Sequence, residues 1–244
     1  MFVQLLLWAL AIYFAIVLVQ VLRARHALRY ARRSDALFAE GDIEERRSEE
    51  LPRRIRGYFA QCEARLAAAG FKTLLTYSSL SSKRSVGGEN YSRVLLSQDG
   101  VVTAGVSYFL TPRWLFAPYI RQPFLRISGR VTRGVVFESE LEDGTVLSTH
   151  QLSYAPELPP SFVSQRLPET AGLPEAAAEH RSRLEALCAE RGCAAKRIES
   201  PDAYLLFYRR AKSTLAAFHR QLFERRMGEK LRDAPFRDLI DPPR

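Results

Sequence analysis

Histidine is the side chain that most often transfers protons near neutral pH, and this chain has four: His26, His150, His180 and His219. His26 lies among arginines, while His180 and His219 fall on apolar helical stripes, where a histidine is typical of packing rather than of catalysis. None of the four has the H-E-x-x-H spacing of a zinc helix or lies near a cysteine at metal-ligand spacing. We therefore predict no metal ion and no other cofactor.

His150 is the histidine whose neighbours could support nucleophilic catalysis. In strand alternation it shares a face with Ser148, and Ser139 lies on the preceding strand. If the Asp-Gly turn between the strands has two residues, Ser139 lies opposite Ser148 with His150 one step along. A three-residue loop with a bulge moves the register by one and separates them. The chain has no G-x-S-x-G motif that would hold a serine beside an oxyanion site.

The carboxylates and thiols form no catalytic pattern either. Glu138, Glu140 and Glu142 alternate along one strand, which predicts a solvated edge, with a contact to the basic neck or to the Arg-rich helices as the alternative. Three cysteines make no even disulfide framework and lack zinc-ligand spacing, so we predict free thiols in a reducing compartment. The cysteines are Cys62, Cys188 and Cys193.

The most unusual segment after the N-terminal region, residues 108–124, reads YFLTPRWLFAPYIRQPF and mixes aromatic side chains with arginine and proline. Amphipathic aromatics beside arginine are typical of a membrane interface or of contact with a partner protein, and nucleic acid is the least favoured occupant. The alternative is that the segment folds back to cap the sheet. We predict that five of its residues bind a partner protein or the membrane surface: Arg113, Trp114, Phe116, Tyr119 and Arg121.

The first 22 residues, MFVQLLLWALAIYFAIVLVQVL, contain no charged side chain. A helix of that length spans roughly 33 Å, enough to cross a hydrocarbon core of about 30 Å. No Lys or Arg precedes the apolar run and no small-residue cleavage site ends it, so we expect a retained single-pass signal anchor. Five arginines follow within residues 23–33. Positive charge on that side predicts an outside N-terminus and a cytoplasmic domain in the cell membrane.

The net charge of +9 is unevenly distributed. Residues 51–130 carry twelve Lys and Arg against three Asp and Glu, so this segment alone has the whole excess. Each basic residue near anionic lipid headgroups contributes about 1 kcal/mol of attraction. The same field attracts nucleic acid, and the alternative to both is a solvated basic surface without a partner. With 47% apolar and 26% charged residues, the composition is typical of a folded chain rather than a disordered one.

Hydrophobic periodicity predicts an α+β fold, in which a single transmembrane helix precedes a mainly antiparallel sheet covered by one preceding and two C-terminal helices. The preceding helix covers residues 51–69. At least five strands follow, including residues 71–79, residues 124–131 and two hairpins. The hairpin turns are Gln98-Asp99-Gly100 and Asp143-Gly144, because Asp-Gly between β-branched runs is the strongest short-range hairpin signal.

Two helices close the predicted domain. Prolines predict an irregular connection over 153–173. One helix covers 174–191 and ends at Gly192, and the next begins at Ser200-Pro201-Asp202 and extends as far as residue 231. The predicted organisation is a transmembrane anchor (1–22), a charged helical neck (23–50), a cytoplasmic α+β domain (51–232, with its helical part at 174–232) and a tail (233–244).

Three functions remain open at this point. The first is a membrane-anchored, non-enzymatic accessory or scaffold protein that binds a partner protein, the lipid bilayer or anionic lipid headgroups. The second is a tethered pocket for a lipid or another small apolar ligand. The third is a hydrolase that uses His150.

Overall fold

A computed structural model of the chain describes residues 4, 8, 12–16, 18–19, 43–79, 89–110, 131–150, 157–168 and 170–231. The chain divides into two units, one of residues 41–212 and one of residues 1–40 with 213–244. The first unit contains a sheet with helices on both of its faces, so the predicted α+β class is confirmed.

Seven strands form one sheet in the order in which they occur along the chain. Successive pairs are antiparallel from the first strand to the sixth, and the seventh runs parallel to the sixth. The prediction of a mainly antiparallel sheet is therefore confirmed. The strands are β1 (Ile43–Glu45), β2 (Phe71–Ser79), β3 (Glu89–Ser97), β4 (Thr103–Leu110), β5 (Val131–Glu140), β6 (Val146–His150) and β7 (Phe162–Arg166).

Both Asp-Gly hairpins are present, as β3–β4 and β5–β6. The turn glycines, Gly100 and Gly144, have φ values of 77° and 84°, a left-handed conformation that residues with a Cβ atom disfavour. In the second turn, Asp143 accepts a hydrogen bond from the backbone N–H of Thr145 at 2.8 Å. Local chemistry therefore sets both turns, which is why the sequence predicts them.

Two strands lie where the sequence predicts none. β1 falls in the neck predicted to be a solvated helix, and at three residues it is too short to show an alternating pattern. β7 falls in the connection predicted to be irregular. The prolines of that connection flank the strand and do not interrupt it, and the carbonyl of Pro159 accepts a hydrogen bond from the N–H of Phe162. Both predictions are wrong at these positions. Of the predicted strand at 124–131, residues 124–130 lie outside the described residues.

The α-helices with defined bounds are α1 (Arg53–Ala67), α2 (Leu173–Arg191) and α3 (Pro201–Leu231), and a short 3-10 helix, Ser48–Glu50, precedes α1. Gly192 ends α2 with a left-handed backbone, as predicted. Ser200 caps α3, since its Oγ accepts a hydrogen bond from the N–H of Ala203 at 3.1 Å. The predicted helix starts and stops are confirmed to within two residues.

Each face of the sheet has its own apolar core. α1 and α2 cover one face, here called face A, and residues 198–211 cover the opposite one, face B. The largest fully buried side chains, among them Phe59, Tyr108 and Phe137, belong to the core of face A. The core of face B is smaller and consists of Leu75, Tyr77, Val94, Val146, Ile198, Tyr204 and Phe207.

In the other unit, the described residues near the N-terminus are helical and their side chains are exposed, Trp8 by 70%. Among the described residues, no helix is both long enough and apolar enough to cross a membrane. Most of the predicted anchor (1–22) and all of residues 23–42 and 232–244 lie outside the described residues. The anchor and the tail therefore stay predictions.

Candidate functional site

The five residues predicted to bind a partner protein or the membrane surface lie outside the described residues, in the segment 111–130. They are Arg113, Trp114, Phe116, Tyr119 and Arg121. Their role stays a prediction.

The pairing of β5 with β6 separates Ser139 from His150. Ser139 lies opposite Leu147, and His150 lies opposite Val136, because the loop between the strands has three residues rather than two. Ser139 therefore belongs to face A and His150 to face B. A catalytic pair of these two residues is excluded.

Ser139 contacts a different histidine, His180 of α2. The hydroxyl of Ser139 donates to the carbonyl of Val101 at 2.7 Å, so its oxygen accepts from Nε2 of His180 at 3.0 Å. Nδ1 of His180 then accepts the hydroxyl hydrogen of Thr149 at 2.7 Å. Burial, assisted by neighbouring Arg181, lowers the pKa of His180 to about 4. The imidazole is neutral at pH 7, and its two nitrogens are both satisfied inside the core.

His150 lies in a different environment, on face B. Its Nε2 is 2.9 Å from Oγ of Ser164 on β7. Ser164 lies directly opposite Ser148, and His150 lies directly opposite Arg166. Burial lowers the pKa of His150, and the charge of Arg166 lowers it further. Strands β6 and β7 thus place an imidazole, two hydroxyls and a guanidinium together.

Glu138 lies beside this group on the same face, opposite Ser148 on β6 and opposite Thr103 on β4. The prediction of a solvated acidic edge is wrong for Glu138 and Glu140, because β5 is an interior strand and α3 brings cations to both; Glu142, just after the strand, is exposed as predicted. Burial raises the pKa of the Glu138 carboxyl, while the charge of Lys212 on α3 acts in the opposite direction. A carboxyl group in such a position is protonated more readily than an exposed one.

Glu140, the next face B residue of β5, makes the alternative contact that the sequence allows. Its carboxylate accepts from Lys196 at 2.8 Å and from Arg210 of α3 at 2.7 Å, and its side chain is 11% exposed. The alternative in which the acidic strand contacts an Arg-rich helix is therefore confirmed. The pair with Arg210 joins α3 to the sheet, and the pair with Lys196 joins the segment before α3 to the same strand.

Two glycines also lie on face B, Gly105 of β4 and Gly134 of β5. A Cβ atom added to Gly134 would meet no atom of the described residues within 4 Å, and one added to Gly105 would meet only the carbonyl of Val136, at 3.7 Å. Val136 lies on the same face, between Gly134 and Glu138 along β5.

Tyrosines pack between α3 and the β2 side of face B. Tyr77 is buried, packs edge-on against Tyr208 of α3 with ring centroids 5.7 Å apart, and hydrogen bonds with Ser92 and Tyr204. The ammonium group of Lys212 lies 5.3 Å from the centre of the Tyr208 ring. The charge of Lys212 also acts on the Glu138 carboxyl, so this lysine links the tyrosines to the polar row.

The members of this group come from different strands, and one sequence does not specify the register between them. Ser164 and Arg166 lie on β7, whose flanking prolines predict irregular structure, and Glu138 lies on an interior strand predicted to be an edge. The available signal for β7 was the aromatic and β-branched pair Phe162-Val163 after two prolines.

The other reactive groups that the structure describes form no metal site. The cysteines are free, with Cys62 buried and Cys188 and Cys193 half-buried. No set of three or more His, Cys, Asp or Glu side chains among the described residues is placed to hold a metal ion. Comparison of the chain with protein-family models, with curated proteins and with solved structures finds no match.

Proposed function

We propose that this chain is a non-enzymatic accessory protein, anchored by residues 1–22, whose α+β domain docks on an anionic membrane surface. The observation that carries this proposal is a set of exposed arginines on α1. Within the described part of the chain, none of them has an ion-pair partner. They are Arg53, Arg54, Arg56 and Arg65.

The placement of these cations is unfavourable for the helix itself. Arg53, Arg54 and Arg56 occupy the first turn of α1, where the helix dipole presents positive charge, and each cation there costs about 0.3–1 kcal/mol. The first turns of α2 and α3 carry the opposite charge, from Glu175 and Asp202. An external anionic surface would offset the repulsion between these arginines and the positive end of the α1 dipole. The arginines therefore suit contact with an anionic surface better than they suit the helix.

The apolar N-terminal residues support a bilayer as the source of the anionic charge. Side chains described there, including Trp8, Phe14 and Leu18, are more than half exposed. A chain tethered through them would hold its arginines within reach of headgroups, where each contributes about 1 kcal/mol. The aromatic segment containing Arg113, Trp114, Phe116, Tyr119 and Arg121 belongs to the same basic region and is part of this proposal.

The test places a spin label on α1 at Ala60→Cys, with a matched label on α2 at Ala178→Cys, since both alanines are exposed. Full-length chain is reconstituted in nanodiscs of phosphatidylcholine, with or without phosphatidylserine, after its native cysteines are replaced. We expect phosphatidylserine to slow the α1 label and reduce its access to an aqueous relaxation agent, and we expect high salt to reverse both effects. The α2 label should not change.

Variants with altered charge test whether the arginines of α1 cause the response of the α1 label. The triple substitution Arg53→Gln, Arg54→Gln and Arg56→Gln should abolish the response of the α1 label, whereas Arg209→Gln, which removes an exposed arginine of α3, should leave it intact. A response that survives the triple substitution, or no response in phosphatidylserine, overturns the proposal. Capture of an acidic protein through the same arginines without any lipid response would identify a protein partner instead.

One contact favours a second function, a hydrolase that uses His150. Its Nε2 lies 2.9 Å from Oγ of Ser164, within the reach of a general base, and its lowered pKa keeps it neutral near pH 7. A fluorophosphonate probe tests this directly. Labelling that Ser164→Ala removes and Ser148→Ala leaves unchanged would support a hydrolase, and absence of labelling would count against it.

A further inference from the structure

We propose that the domain docks on an anionic lipid bilayer end-on, through one end of its sheet, and that Arg133 is a headgroup-binding residue of this surface. We call it the entry end and define it by the residues that strand pairing aligns there: Ile43, Ser79, Glu89, Leu110 and Val131. The opposite end, which has the two Asp-Gly turns, is the turn end. This inference rests on the proposed docking of α1 and adds the orientation of the domain.

The chain reaches the sheet at the entry end. Residues 1–42, which contain the predicted anchor, precede Ile43, and Ile43 pairs with Ser79, the last residue of β2. The entry end is therefore the part of the sheet that is nearest, along the chain, to an anchor in the bilayer. A tether attached there favours an orientation in which the entry end faces the lipid.

The connections between neighbouring antiparallel strands carry opposite charge at the two ends. Residues 80–88 and 111–130 leave and rejoin the sheet at the entry end, and they contain two and four Lys or Arg, respectively, with no Asp or Glu. Residues 98–102 and 141–145, at the turn end, contain one and two acids, respectively, with no Lys or Arg. This distribution directs the entry end towards an anionic surface.

α1 brings its first turn to the entry end. The ring centre of Tyr58 lies 5.7 Å from that of Tyr108, which is two residues from the end of β4. The helix ends at Ala67, shortly before β2 begins at the turn end. The helix therefore runs from the entry end towards the turn end. Its first-turn arginines, residues 53, 54 and 56, lie beyond Tyr58 in the direction of the entry end.

The outward face of α1 does not suit a helix that lies flat on a membrane. Its large apolar side chains are buried against the sheet, so they are not available to enter lipid as those of an interfacial helix do. The opposite face has an exposed, uncharged stripe at helical spacing, formed by Gly57, Ala60, Ala64 and Ala68. Three of the four exposed arginines occupy the first four residues of the helix. Charge concentrated in this way favours contact through the end of the helix.

Arg133 of β5 extends the basic surface from α1 onto the sheet. Its guanidinium carbon lies 5.3 Å from the centre of the Tyr58 ring and 5.2 Å from that of Tyr108, and the residue is exposed. The two rings hold the cation beside the beginning of α1 without neutralising its charge. A guanidinium held in this way can donate hydrogen bonds to the phosphate oxygens of a headgroup.

Ion pairing differs between the two ends. At the turn end, the acids of the hairpin turns pair with arginines of α2, Asp99 with Arg181 and Asp143 with Arg191. Within the described part of the chain, neither Arg133 nor the first-turn arginines of α1 have an ion-pair partner. The cations of the entry end are therefore available to an external anion.

The experiment uses the same full-length chain and nanodiscs as the test of docking, and it moves the spin label along the uncharged stripe of α1. The labelled variants are Gly57→Cys, Ala64→Cys and Ala68→Cys. These positions share one face of the helix, and the first and last are about 16 Å apart along its axis. We expect phosphatidylserine to reduce the access of the aqueous relaxation agent most at residue 57, less at residue 64 and not at residue 68. A label on the exposed Gln98, at the turn end, should also be unchanged.

The outcomes separate this inference from the proposed docking. Equal responses along the stripe would mean that the helix lies flat, which overturns the inference and leaves the docking intact. A response that is largest at residue 68 or residue 98 also overturns the inference. Absence of a response at every position overturns the docking, and the orientation with it.

Variants of Arg133 test its role. Arg133→Gln should lower the ratio of docked to undocked label at residue 57 about fivefold, the factor expected for one basic residue near anionic headgroups. Arg133→Lys keeps a cation beside the two rings and should restore most of the ratio. Lys72→Gln, which removes an exposed cation near the turn end, is the matched control and should leave the ratio unchanged. An unchanged ratio in Arg133→Gln, or an equal decrease in Lys72→Gln, overturns the role of Arg133.

Discussion

The two faces of one sheet carry different side chains. On face A the buried His180 is hydrogen-bonded at both ring nitrogens, by Ser139 and Thr149, inside a large apolar core. On face B a row of hydroxyl, carboxyl and imidazole groups lies beside a smaller apolar core, and His150 of this row contacts Ser164. Hydrogen-bonded polar groups are compatible with a core. Since face B buries fewer large apolar side chains, truncating one there should cost less stability than truncating one on face A.

Arg93 shows how completely face A uses its polar groups. Its guanidinium lies 5.2 Å from the centre of the Phe59 ring, pairs with Glu63 of α1 at 2.8 Å and donates to Thr76 at 3.0 Å. It also donates to Ser48, so a single arginine joins β3, β2, α1 and the turn before α1. Arg93 therefore has a structural role, joining these elements, rather than a role in binding.

The largest expected change in the free energy of unfolding comes from comparing two neighbouring residues of β5, one on each face. Phe137 is buried on face A, against Phe71 and His180, so Phe137→Ala should lower the free energy of unfolding by about 3–5 kcal/mol. Val136, the adjacent residue, is half-buried on face B, and Val136→Ala should cost about 1 kcal/mol. Urea unfolding of the full-length chain measures both. Equal losses would mean that face B is packed as tightly as face A.

The second prediction concerns the pH dependence of stability. The folded-state pKa of His180, about 4, lies below the 6.5 of an unperturbed histidine, so the unfolded chain binds the proton first as the pH falls. The stability from this group is fully present above pH 6.5 and is lost progressively towards pH 4. At about 1.4 kcal/mol per pKa unit, the loss approaches roughly 3 kcal/mol.

Two histidine variants compare the faces in the same experiment. His180→Gln should flatten the dependence of unfolding free energy on pH between 7.5 and 5, at the cost of some stability at pH 7.5. His150→Gln should flatten it less, because the lowering of its pKa is smaller and it lies at the polar end of face B. A larger flattening from His150→Gln would contradict the assignment of His180 as the deeply buried histidine.

The third prediction tests how much the contacts of Arg93 contribute to stability. Glu63→Gln leaves the buried guanidinium without a counter-charge and should cost about 2 kcal/mol, less than a fully buried pair because Glu63 is partly exposed. Adding Arg93→Met to the Glu63→Gln variant should recover part of that loss, since methionine can fill the same space against Phe59 without charge. If the double variant is less stable than Glu63→Gln, hydrogen bonds from Arg93 to Thr76 and Ser48 contribute more than the buried charge costs.

Local signals account for what the sequence predicted correctly. The Asp-Gly turns at 99–100 and 143–144, the N-cap at Ser200 and the glycine stop at Gly192 all depend on a few adjacent residues, and all are present in the structure. The bounds of β2 were predicted to the residue, because flanking signals at Gly70 and the following serines enclose it.

Non-local pairing accounts for what the sequence did not predict. β7 pairs parallel to β6, so no hairpin turn in the sequence indicates the strand. The loop between β5 and β6 has three residues instead of two, and this shift in register separates Ser139 from His150. The face B group depends on both facts, because Ser164 comes from β7 and Glu138 meets Ser148 only in this register. A site assembled from three strands is visible only when their alignment is known.

The smallest expected effect concerns the outer side of the layers rather than the faces of the sheet. Arg210 of α3 is paired with Glu140 of β5, whereas the arginines at the start of α1 have no ion-pair partner among the described residues. Arg53→Glu and Arg54→Glu should therefore each raise the free energy of unfolding, by about 0.3–1 kcal/mol at low ionic strength, because an acid suits a helix N-terminus. Urea unfolding at low and high salt measures the gain, which salt should diminish.

The same variants should lose the response to phosphatidylserine, so that a gain in stability accompanies a loss of docking. Variants that are less stable than the parent would show that the arginines serve the fold, and the argument for an external anionic surface would lose its physical basis.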